Sequence, residues 1–339
     1  MITIKEIAKI SGLSPSTVSI VLNGKAEERK ISSQTVKKIQ TIASEHGYMP
    51  NTQAIGLRIA FNVTTYRIMI FWTADFRVSI MLRFIKELEN RIMDDKDMDV
   101  EILLKPYKND HLREAMSEET IRSCNGMIIC NASAKDMKFI ENSRFIRPIV
   151  LYNRYSHTYP CITMNDKLIG RLPAEAFAKH GCRHPAIVTS VSTFSGMDVR
   201  NDIFETFCVD HGMERPVKIV CESSRYDGFE ATKQLMETHP DIDSVFYSSD
   251  DLAQGALRYF LQKGIEIPGR VKIITIGYSD LAATEMSYPS LSVVNIPIEE
   301  AAGRCLEILV QLIQYREVNP LENESLLSEY IPRESCPKV

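Results

Sequence analysis

From Tyr66 onward, short apolar runs alternate with amphipathic stretches of helical period, and this alternation limits the fold more than any other feature. The apolar runs predict strands at 67–72, 100–104, 126–131, 148–152, 186–189, 217–220, 244–247 and 272–276. The stretches between them predict helices at 78–93, 112–122, from 134 onward, and at 198–211, 228–237 and 252–263. Such βα units build parallel sheets with helices on both faces, and ligands bind at the carboxyl ends of the strands.

Residues 1–47 carry a different pattern, that of three short capped helices. Thr3 and Glu6 have the spacing of a capping box, and Gly12 is suited to end the first helix with a positive φ. Ser14 caps the second helix, with Pro15 at its first position. Two short helices joined by a glycine turn and closed by a third predict a helix-turn-helix domain. The outward face of the second helix carries the small residues Ser16, Thr17, Ser19 and Ile20.

The charge distribution separates the head from the body. Residues 1–60 contain eight Lys and Arg against four Glu, whereas the whole chain has a net charge of −4. The head is therefore at +4 and the remainder at −8. A basic head on an acidic body is consistent with a small module that binds a polyanion.

The eight cysteines are scattered and include no C-x-x-C pair, which argues against a zinc site or a redox dithiol and predicts reduced thiols. No apolar run approaches the ~20 residues of a membrane-spanning helix, and the N-terminus resembles folded structure instead of a signal peptide. We therefore expect a cytoplasmic protein without a membrane partner.

Two α/β halves could also belong to an enzyme, or to a sugar-binding module without a regulatory role. The sequence contains no G-x-G-x-x-G after a strand, no phosphate-binding P-loop and no G-x-S-x-G nucleophile elbow. Its seven histidines are dispersed. No enzyme, cofactor, catalytic residue or metal site is therefore expected.

The segments TIKEIAKISGLSPSTVSIVLNG and GYMPNTQAIGLR closely resemble the lactose-repressor (LacI/GalR) family of bacterial regulators. The resemblance continues through HPAIV, VFYSSDDLAQGALR, VKIITIGYSD and the terminal IPRES, so it covers nearly the whole chain. It implies a multi-domain protein in which an all-α helix-turn-helix head precedes an α/β periplasmic-binding-protein-like core of two Rossmann-like subdomains. It also implies a DNA-binding repressor whose operator affinity is controlled by a small effector, commonly a sugar.

The resemblance assigns DNA contacts position by position. Pro15, Ser16 and Ile20 occupy places that read base edges, and the places that bind phosphates or position the helix hold Thr3, Thr17, Ser19 and Asn23. Ile20 departs from the common Arg or His, and an isoleucine can pack on a thymine methyl, which predicts an A·T pair there.

Residues 51–58 resemble the family's hinge helix. Asn51 is suited to cap it, and Leu57, followed by Arg58, occupies the place of the side chain that wedges into the minor groove and kinks the duplex. Gly56 replaces the usual serine.

Candidate effector contacts follow from the same resemblance. Arg200 matches the cleft arginine that grips a polar ligand group. Asp250 stands where the family often has Asn and Ser279 where it usually has Asp, which suggests that a carboxylate has changed position and still accepts bonds from sugar hydroxyls. Further candidates are Trp72, for stacking on a sugar face, together with Ile80, Met81, Phe194 and Ser223.

The expected domains are a helix-turn-helix at 1–49, a hinge and linker at 50–65, and an effector-binding and dimerisation core at 66–339. Within the core we assign one subdomain to about 66–160, with 291–325 crossing over, and the other to about 161–290 with the C-terminal segment. The expected partners are a pseudo-palindromic DNA operator, a small effector, most commonly a carbohydrate, and a second copy in a homodimer.

Overall fold

The computed structural model describes residues 4–22, 31–45, 65–74, 78–94, 99–192, 194–279, 281–315 and 323–339. The chain divides into two compact units, residues 1–64 and 65–339. The first unit contains α1 (Ile4–Ser11), α2 (Pro15–Leu22) and α3 (Ser33–Glu45).

The three helices of the first unit enclose a small apolar core. Five side chains are buried in it, namely Ile7, Ala8, Val18, Val21 and Ile39. Gly12, between α1 and α2, has a φ of +71°, which a residue without a Cβ adopts easily. The predicted helix-turn-helix arrangement is therefore confirmed in its local geometry.

The second unit alternates strands and helices throughout its described residues. In chain order its elements are β1 (Thr65–Thr73), α4 (Val78–Asp94), β2 (Asp99–Tyr107), α5 (Leu112–Ala115), α6 (Glu118–Arg122), β3 (Gly126–Cys130), α7 (Ala134–Glu141), β4 (Ile149–Tyr152), β5 (Cys161–Met164), α8 (Asp166–Lys179), β6 (Pro185–Ser190), α9 (Ser195–Asp210), β7 (Val217–Cys221), α10 (Arg225–Thr238), β8 (Ser244–Tyr247), α11 (Asp250–Lys263), β9 (Lys272–Gly277), α12 (Leu281–Glu285), β10 (Ser292–Asn295), α13 (Ile298–Tyr315), β11 (Asn323–Leu326) and β12 (Glu329–Ile331).

These strands form two six-stranded sheets. The first has the order β11-β5-β4-β3-β1-β2 and the second the order β12-β10-β9-β8-β6-β7. Every pairing is parallel except that of β10 with β12, which is antiparallel. The predicted pair of parallel α/β sheets is confirmed, and the carboxyl ends of its strands are where a ligand site is expected.

The chain crosses between the two sheets three times, after β5, after β10 and after β11. The first and third crossings are joined directly, because the Asn165 N–H donates to the Leu326 carbonyl at 3.0 Å.

The expected subdomain limits differ from this arrangement. β5 lies in the first sheet, since Leu151 and Tyr152 pair with Cys161 and Ile162. β10 pairs with β9 in the second sheet, so neither 161 nor 291 is the boundary.

One apolar cluster extends through both halves and contains side chains from β1, α4, α8, α9 and α13. Within it Phe84 and Tyr152 of the first half and Phe204 and Phe246 of the second are buried.

The predicted helix at 112–122 is instead two short helices, because Ser117 accepts a bond from the Thr120 N–H and starts α6. Within the described residues, no helix is long and apolar enough to cross a membrane.

Candidate functional site

The start of α2 is organised by Ser14. The Ser14 Oγ accepts a hydrogen bond from the Thr17 N–H at 3.1 Å, and its hydroxyl also lies 2.8 Å from the hydroxyls of Ser16 and Thr17. The predicted cap is therefore present, and it fixes the direction in which α2 leaves the glycine turn. Val18 and Val21 point from α2 into the core.

The other face of α2 remains accessible. Pro15 and Ser16 are exposed, and Thr17, Ser19 and Ile20 are half-buried. These side chains are short, apart from Ile20, so the helix backbone can approach a flat or grooved partner closely. The remaining expected DNA contacts, Thr3, Asn23, Asn51, Leu57 and Arg58, lie outside the described residues.

In the second unit, a small cavity lies at the carboxyl ends of the strands, as the parallel sheets require. Its volume is about 30 Å³, two to three times the ~10–15 Å³ that one water molecule needs on the same measure. Its lining includes four of the expected effector contacts, Ile80, Phe194, Arg200 and Ser223. The rest of the lining consists of Asn153, Thr189, Ser190, Met197, Asn201, Phe246, Ser248, Ser249, Ile276 and Tyr278.

Arg200 is the central polar group of this cavity, and its side chain is only 5% exposed. Its Nε donates to Asp166 Oδ1 at 2.7 Å, and its Nη1 donates to the Tyr278 hydroxyl. Among the described residues, no hydrogen bond of Nη2 is found. Burial disfavours the guanidinium's charge, but Tyr278 and Asp166 outweigh it and raise the pKa of Arg200, which is therefore a cation.

Two glycines allow this arrangement. At Gly170 in α8, a Cβ would lie 2.2 Å from the Arg200 carbonyl oxygen, so α8 and α9 can approach closely only without a side chain there. At Gly196, in the first turn of α9, a Cβ would lie 2.3 Å from Asp166 Oδ2. The Asp166 carboxylate therefore lies against both the Arg200 side chain and the first turn of α9, whose partial positive charge favours an anion.

The Arg200 cation is also surrounded by aromatic rings. Its guanidinium carbon lies 5.5 Å from the centroid of the Phe194 ring and 5.9 Å from that of Tyr278. The guanidinium carbon of Arg154, which follows β4 in the first half, lies 4.6 Å from the same Phe194 ring. Phe194 therefore contacts cations from both halves of the second unit.

Asp250 and Ser279 bind each other instead of a ligand. The Ser279 N–H donates to Asp250 Oδ2 at 2.7 Å, and the Ser279 hydroxyl lies 3.0 Å from Oδ1. Asp250 is 1% exposed, neither residue lines the cavity, and burial raises the pKa of Asp250 despite the bonds from Ser279. The Asp250 carboxylate is thus used within the fold, and a bond from it to a sugar hydroxyl stays a prediction.

Trp72 and Met81 also lie off the cavity wall. Trp72 is 1% exposed and stacks on Tyr152 with ring centroids 5.9 Å apart, while Phe84 packs on it at 5.5 Å. Met81 packs on the large apolar cluster. The expected stacking of Trp72 on a ligand is not what the structure shows, because three aromatic rings of the core contact one another at that position.

A larger cavity of about 820 Å³ adjoins the first, and Asn153 and Phe194 line both. Its wall also carries Arg154, Asp166 and Glu141. These two shared side chains stand between the smaller cavity and the larger one.

Several buried polar atoms near the strand ends have no hydrogen-bond partner among the described residues. They include Trp72 Nε1, Thr73 Oγ1 and Ser248 Oγ, and Ser248 lines the cavity. Leaving a buried donor or acceptor unpaired costs about 1–3 kcal/mol. The Ser248 hydroxyl, at the expected ligand site, indicates a place where a polar molecule or water completes the structure.

Sequence reasoning missed most of the hydroxyl and amide groups of the cavity. Asn153, Ser248 and Tyr278 each come directly after a strand, and Ser190 ends one. The rule that parallel sheets bind ligands at strand ends would have selected them without any resemblance.

The comparisons with known proteins agree with both parts of this geometry. Residues 3–51 match the model of bacterial regulatory proteins of the lacI family, and residues 174–336 match that of a periplasmic binding protein-like domain. The chain belongs to the LacI family of bacterial regulators. The resemblance recognised in the sequence is confirmed, and because the family consists of DNA-binding transcription regulators, the enzyme alternative is set aside.

Individual relatives cover the chain from end to end. The "Probable HTH-type transcriptional repressor ExuR" of Bacillus subtilis (strain 168) is 28% identical over 349 residues, which span 100% of this chain and 99% of that protein. The crystal structure of a LacI family transcription regulator from Clostridium acetobutylicum, 29% identical, covers 79% of this chain and 99% of that one with a TM-score of 0.74. The lac repressor dimer bound to operator and the anti-inducer ONPF is 16% identical, covers 99% of both chains and has a TM-score of 0.72, so it shares the fold.

Proposed function

We propose that this LacI-family regulator is a cytoplasmic homodimeric repressor. Each subunit places α2 in the major groove of one half of a pseudo-palindromic operator, and a small polar effector, such as a carbohydrate, binds in the cleft of the second unit. The accessible face of α2 carries this proposal, because Ser14 bonds Ser16 and Thr17 at its start, and neither these two nor Pro15 belong to the apolar core. Two-fold symmetry of a dimer predicts the symmetry of the operator.

The effector part rests on the cavity at Arg200. A buried cation, several hydroxyl groups and one buried hydroxyl without a partner within the described part of the chain, Ser248 Oγ, converge there. A ligand that binds one arrangement of the two halves more tightly than another shifts the population of these arrangements, and thereby the affinity for DNA.

The DNA-binding part is tested with the intact protein and labelled fragments of the source genome, using fluorescence anisotropy at several salt concentrations. We expect selective binding that weakens as salt rises, because contacts to phosphates release counterions. Ser16→Glu, which places a carboxylate on the exposed face of α2, should weaken this binding at least tenfold. Arg225→Gln, at an exposed position of α10, is the matched control and should bind as the wild type does. Binding without selectivity, or a Ser16→Glu protein that binds normally, contradicts the proposal.

Ile20 supplies a sharper test of how α2 reads DNA. An isoleucine packs on a thymine methyl but cannot form the paired hydrogen bonds that arginine makes with guanine. Selection from a randomised operator library should therefore return an A·T pair opposite position 20 for the wild type and a G·C pair for Ile20→Arg. Identical selected sequences for both proteins would show that Ile20 does not read a base.

A further inference from the structure

We infer that α2 recognises DNA by the C5 methyl group of a pyrimidine in the major groove, and not by paired hydrogen bonds to base edges. The affinity for an operator then depends on methylation at that carbon, whether the base is thymine or cytosine. The inference rests on the proposed function, because it names the chemical group that the same helix reads. It follows from the side chains of α2, from the bonds of its hydroxyl groups and from its accessible apolar atoms.

The eight residues of α2, Pro15–Leu22, contain no side-chain amide, guanidinium, ammonium or carboxylate group. Paired hydrogen bonds identify guanine through arginine or lysine and adenine through asparagine or glutamine, and the cytosine amino group is identified by aspartate or glutamate. None of these residue types is present in the helix. A base edge that faces α2 therefore meets only hydroxyl groups and carbon atoms.

The hydroxyl groups at the start of α2 are bonded to one another. Ser14 Oγ lies 2.8 Å from the hydroxyl oxygens of both Ser16 and Thr17, and it accepts a bond from the Thr17 N–H at 3.1 Å. Ser14 has a single hydroxyl proton, so at least one of its two neighbours donates its own proton to Ser14 and keeps only lone pairs for a base. Such an acceptor bonds the amino groups of adenine and of cytosine alike. The cluster holds the start of the helix in place but identifies no base.

Two apolar side chains of α2 are accessible outside the core of the first unit. Pro15 is exposed and Ile20 is half-buried, and neither belongs to the apolar cluster that contains Val18 and Val21. Ile20 shares its face of the helix with Ser16, four positions earlier, and is the larger of the two side chains. The apolar group that a base presents in the major groove is the C5 methyl of thymine. Burial of that methyl against Ile20 is the most selective contact that this face can make.

The attraction to DNA that does not depend on sequence comes from other parts of the head. Residues 1–60 contain eight Lys and Arg against four Glu, and α2 contributes none of these charges. Contacts of cations to phosphates weaken as salt rises, whereas burial of a methyl group does not release counterions. The methyl contact is therefore separable from the phosphate contacts by varying the salt concentration.

Methylated cytosine offers α2 the same apolar contact as thymine. The two bases differ at the next position of the edge, where thymine has a carbonyl oxygen and cytosine an amino group. Hydroxyl groups can bond either one, and a helix without amide or charged side chains has no group that rejects one of them. The ligand class of α2 is therefore a C5-methylated pyrimidine, and methylation of operator cytosines would strengthen binding.

The test uses the full chain and an operator obtained by selection, with fluorescence anisotropy as the measurement. Each thymine is replaced in turn by deoxyuridine, in both half-sites together. We expect one thymine in each half-site whose replacement weakens binding about fifteenfold, because burial of one methyl group is worth about fourfold and a dimer makes the contact twice. The same ratio should be found at about 50 and 200 mM salt, although both affinities fall.

Cytosine and 5-methylcytosine are then compared at the sensitive position, each paired with guanine. Cytosine should bind weakly, and 5-methylcytosine should bind more tightly by the same factor that separates thymine from deoxyuridine. Thymines in the flanks of the operator are internal controls and should tolerate deoxyuridine without a change in affinity.

Variants assign the methyl contact to α2. Ile20→Ala should bring the affinities for thymine and deoxyuridine operators close together, and Ile20→Val should keep most of their difference. Ile10→Ala is the matched control, because Ile10, in α1, is 50% exposed and also lies outside the apolar cluster. Its ratio should equal that of the wild type. A variant that merely folds less well would lower both affinities together and leave the ratio unchanged.

Selective binding without any position that is sensitive to deoxyuridine overturns the inference and leaves the proposed regulator intact. So does 5-methylcytosine that binds no better than cytosine at the sensitive position. A ratio that is unchanged in Ile20→Ala also overturns it, because the methyl contact then comes from another part of the protein. Absence of selective binding to unmodified DNA would instead contradict the proposed function, and it is measured before any base is changed.

Discussion

Two buried arginines of the second unit, Arg83 and Arg200, differ in how fully their donors are used. Arg83, in α4, bonds both Glu299 carboxylate oxygens at 2.8 Å and also donates to the carbonyls of Gly277, Tyr278 and Ile296. Arg200 has two bonding partners and leaves one donor group toward a cavity. A guanidinium saturated by backbone carbonyls stabilises the fold, whereas one with a remaining donor can recognise a ligand.

The two arginines meet at Tyr278. Arg83 of the first half bonds its carbonyl, and Arg200 of the second half bonds its hydroxyl. The contact between the halves is therefore part of the same network as the cavity. If a ligand binds at Arg200 as proposed, this network is a physical route by which it would change how the halves are held together.

The largest expected effect is on stability, from Arg83→Met. The variant leaves Glu299 and three carbonyls without their donor, and we expect a loss of about 2–3 kcal/mol in the free energy of unfolding. This expected loss is smaller than the loss from breaking a fully buried ion pair, because the Glu299 side chain is 46% exposed. Urea unfolding followed by the fluorescence of Trp72, the only tryptophan, measures it. A change below about 0.5 kcal/mol, the range of ordinary surface substitutions, would show that the Arg83 network contributes little.

Gly170→Ala tests the close approach of the helices that positions Arg200. The added methyl group would lie 2.2 Å from the Arg200 carbonyl oxygen, so α8 and α9 must separate, which costs about 1–3 kcal/mol. We also expect weaker ligand binding. Gly269→Ala is the control in the same unfolding assay. Its added methyl group would lie 3.0 Å from Glu266 Oε2, at the end of a flexible side chain that can move away. Equal behaviour of the two variants would contradict the role of Gly170.

The pH dependence of stability should distinguish the half-exposed Glu299 from the buried Asp250. Burial opposes the charge of Glu299, but the bonds and charge of Arg83 outweigh it and lower the pKa of Glu299 below its ordinary 4.5. The stabilisation from this pair is therefore complete above pH 4.5 and is lost as the pH falls through the lowered pKa. The stability difference between wild type and Arg83→Met should shrink on acidification, by about 1 kcal/mol or less because Glu299 is half-exposed.

Asp250 should make the stability depend on pH in the opposite direction from Glu299. Burial raises its pKa above the ordinary 3.8, so the folded state binds the proton more tightly than the unfolded state. Between these two pKa values, its contribution to stability falls as the pH rises. Asp250→Asn should remove that slope when unfolding is compared between pH 3.5 and 7. A slope unchanged by the substitution would mean that Asp250 is not the titrating group.

Arg200→Gln should lower the free energy of unfolding by about 2 kcal/mol, because it leaves the Asp166 carboxylate, which is only 24% exposed, without its cation. The same variant should lose at least tenfold in affinity for the effector. A large loss of stability with unchanged ligand affinity would place Arg200 with Arg83, as a structural residue.

Much of the fold follows from local sequence signals. The Ser14 cap and the Gly12 turn are fixed by neighbouring residues, and the apolar runs that form β1, β3 and β8 are continuous. β5 was not recognised as a strand of the first sheet, since its four residues give too short a pattern and its position depends on pairing with β4 and β11.

The site was less predictable, because its bonds join residues far apart in sequence. Arg200 was found by resemblance, but its partners Asp166 and Tyr278 lie 34 and 78 positions away. The internal contacts of Asp250 and Trp72 could not be predicted for the same reason. Whether a carboxylate faces a ligand or a backbone N–H, and whether an indole faces a cleft or two other rings, depends on tertiary packing.

The central claim is that a ligand bound at Arg200 controls the affinity for DNA, and one titration tests it directly. Anisotropy of a labelled operator is measured for the wild type and Arg200→Gln, with and without the sugar or sugar derivative that stabilises the wild type most in a thermal-shift screen. The two proteins should have equal operator affinity without ligand, and the ligand should change that of the wild type at least fivefold, as is typical of allosteric coupling, and that of Arg200→Gln less than twofold. An equal shift in both proteins, or no shift in a wild type shown to bind the ligand, would contradict the claim.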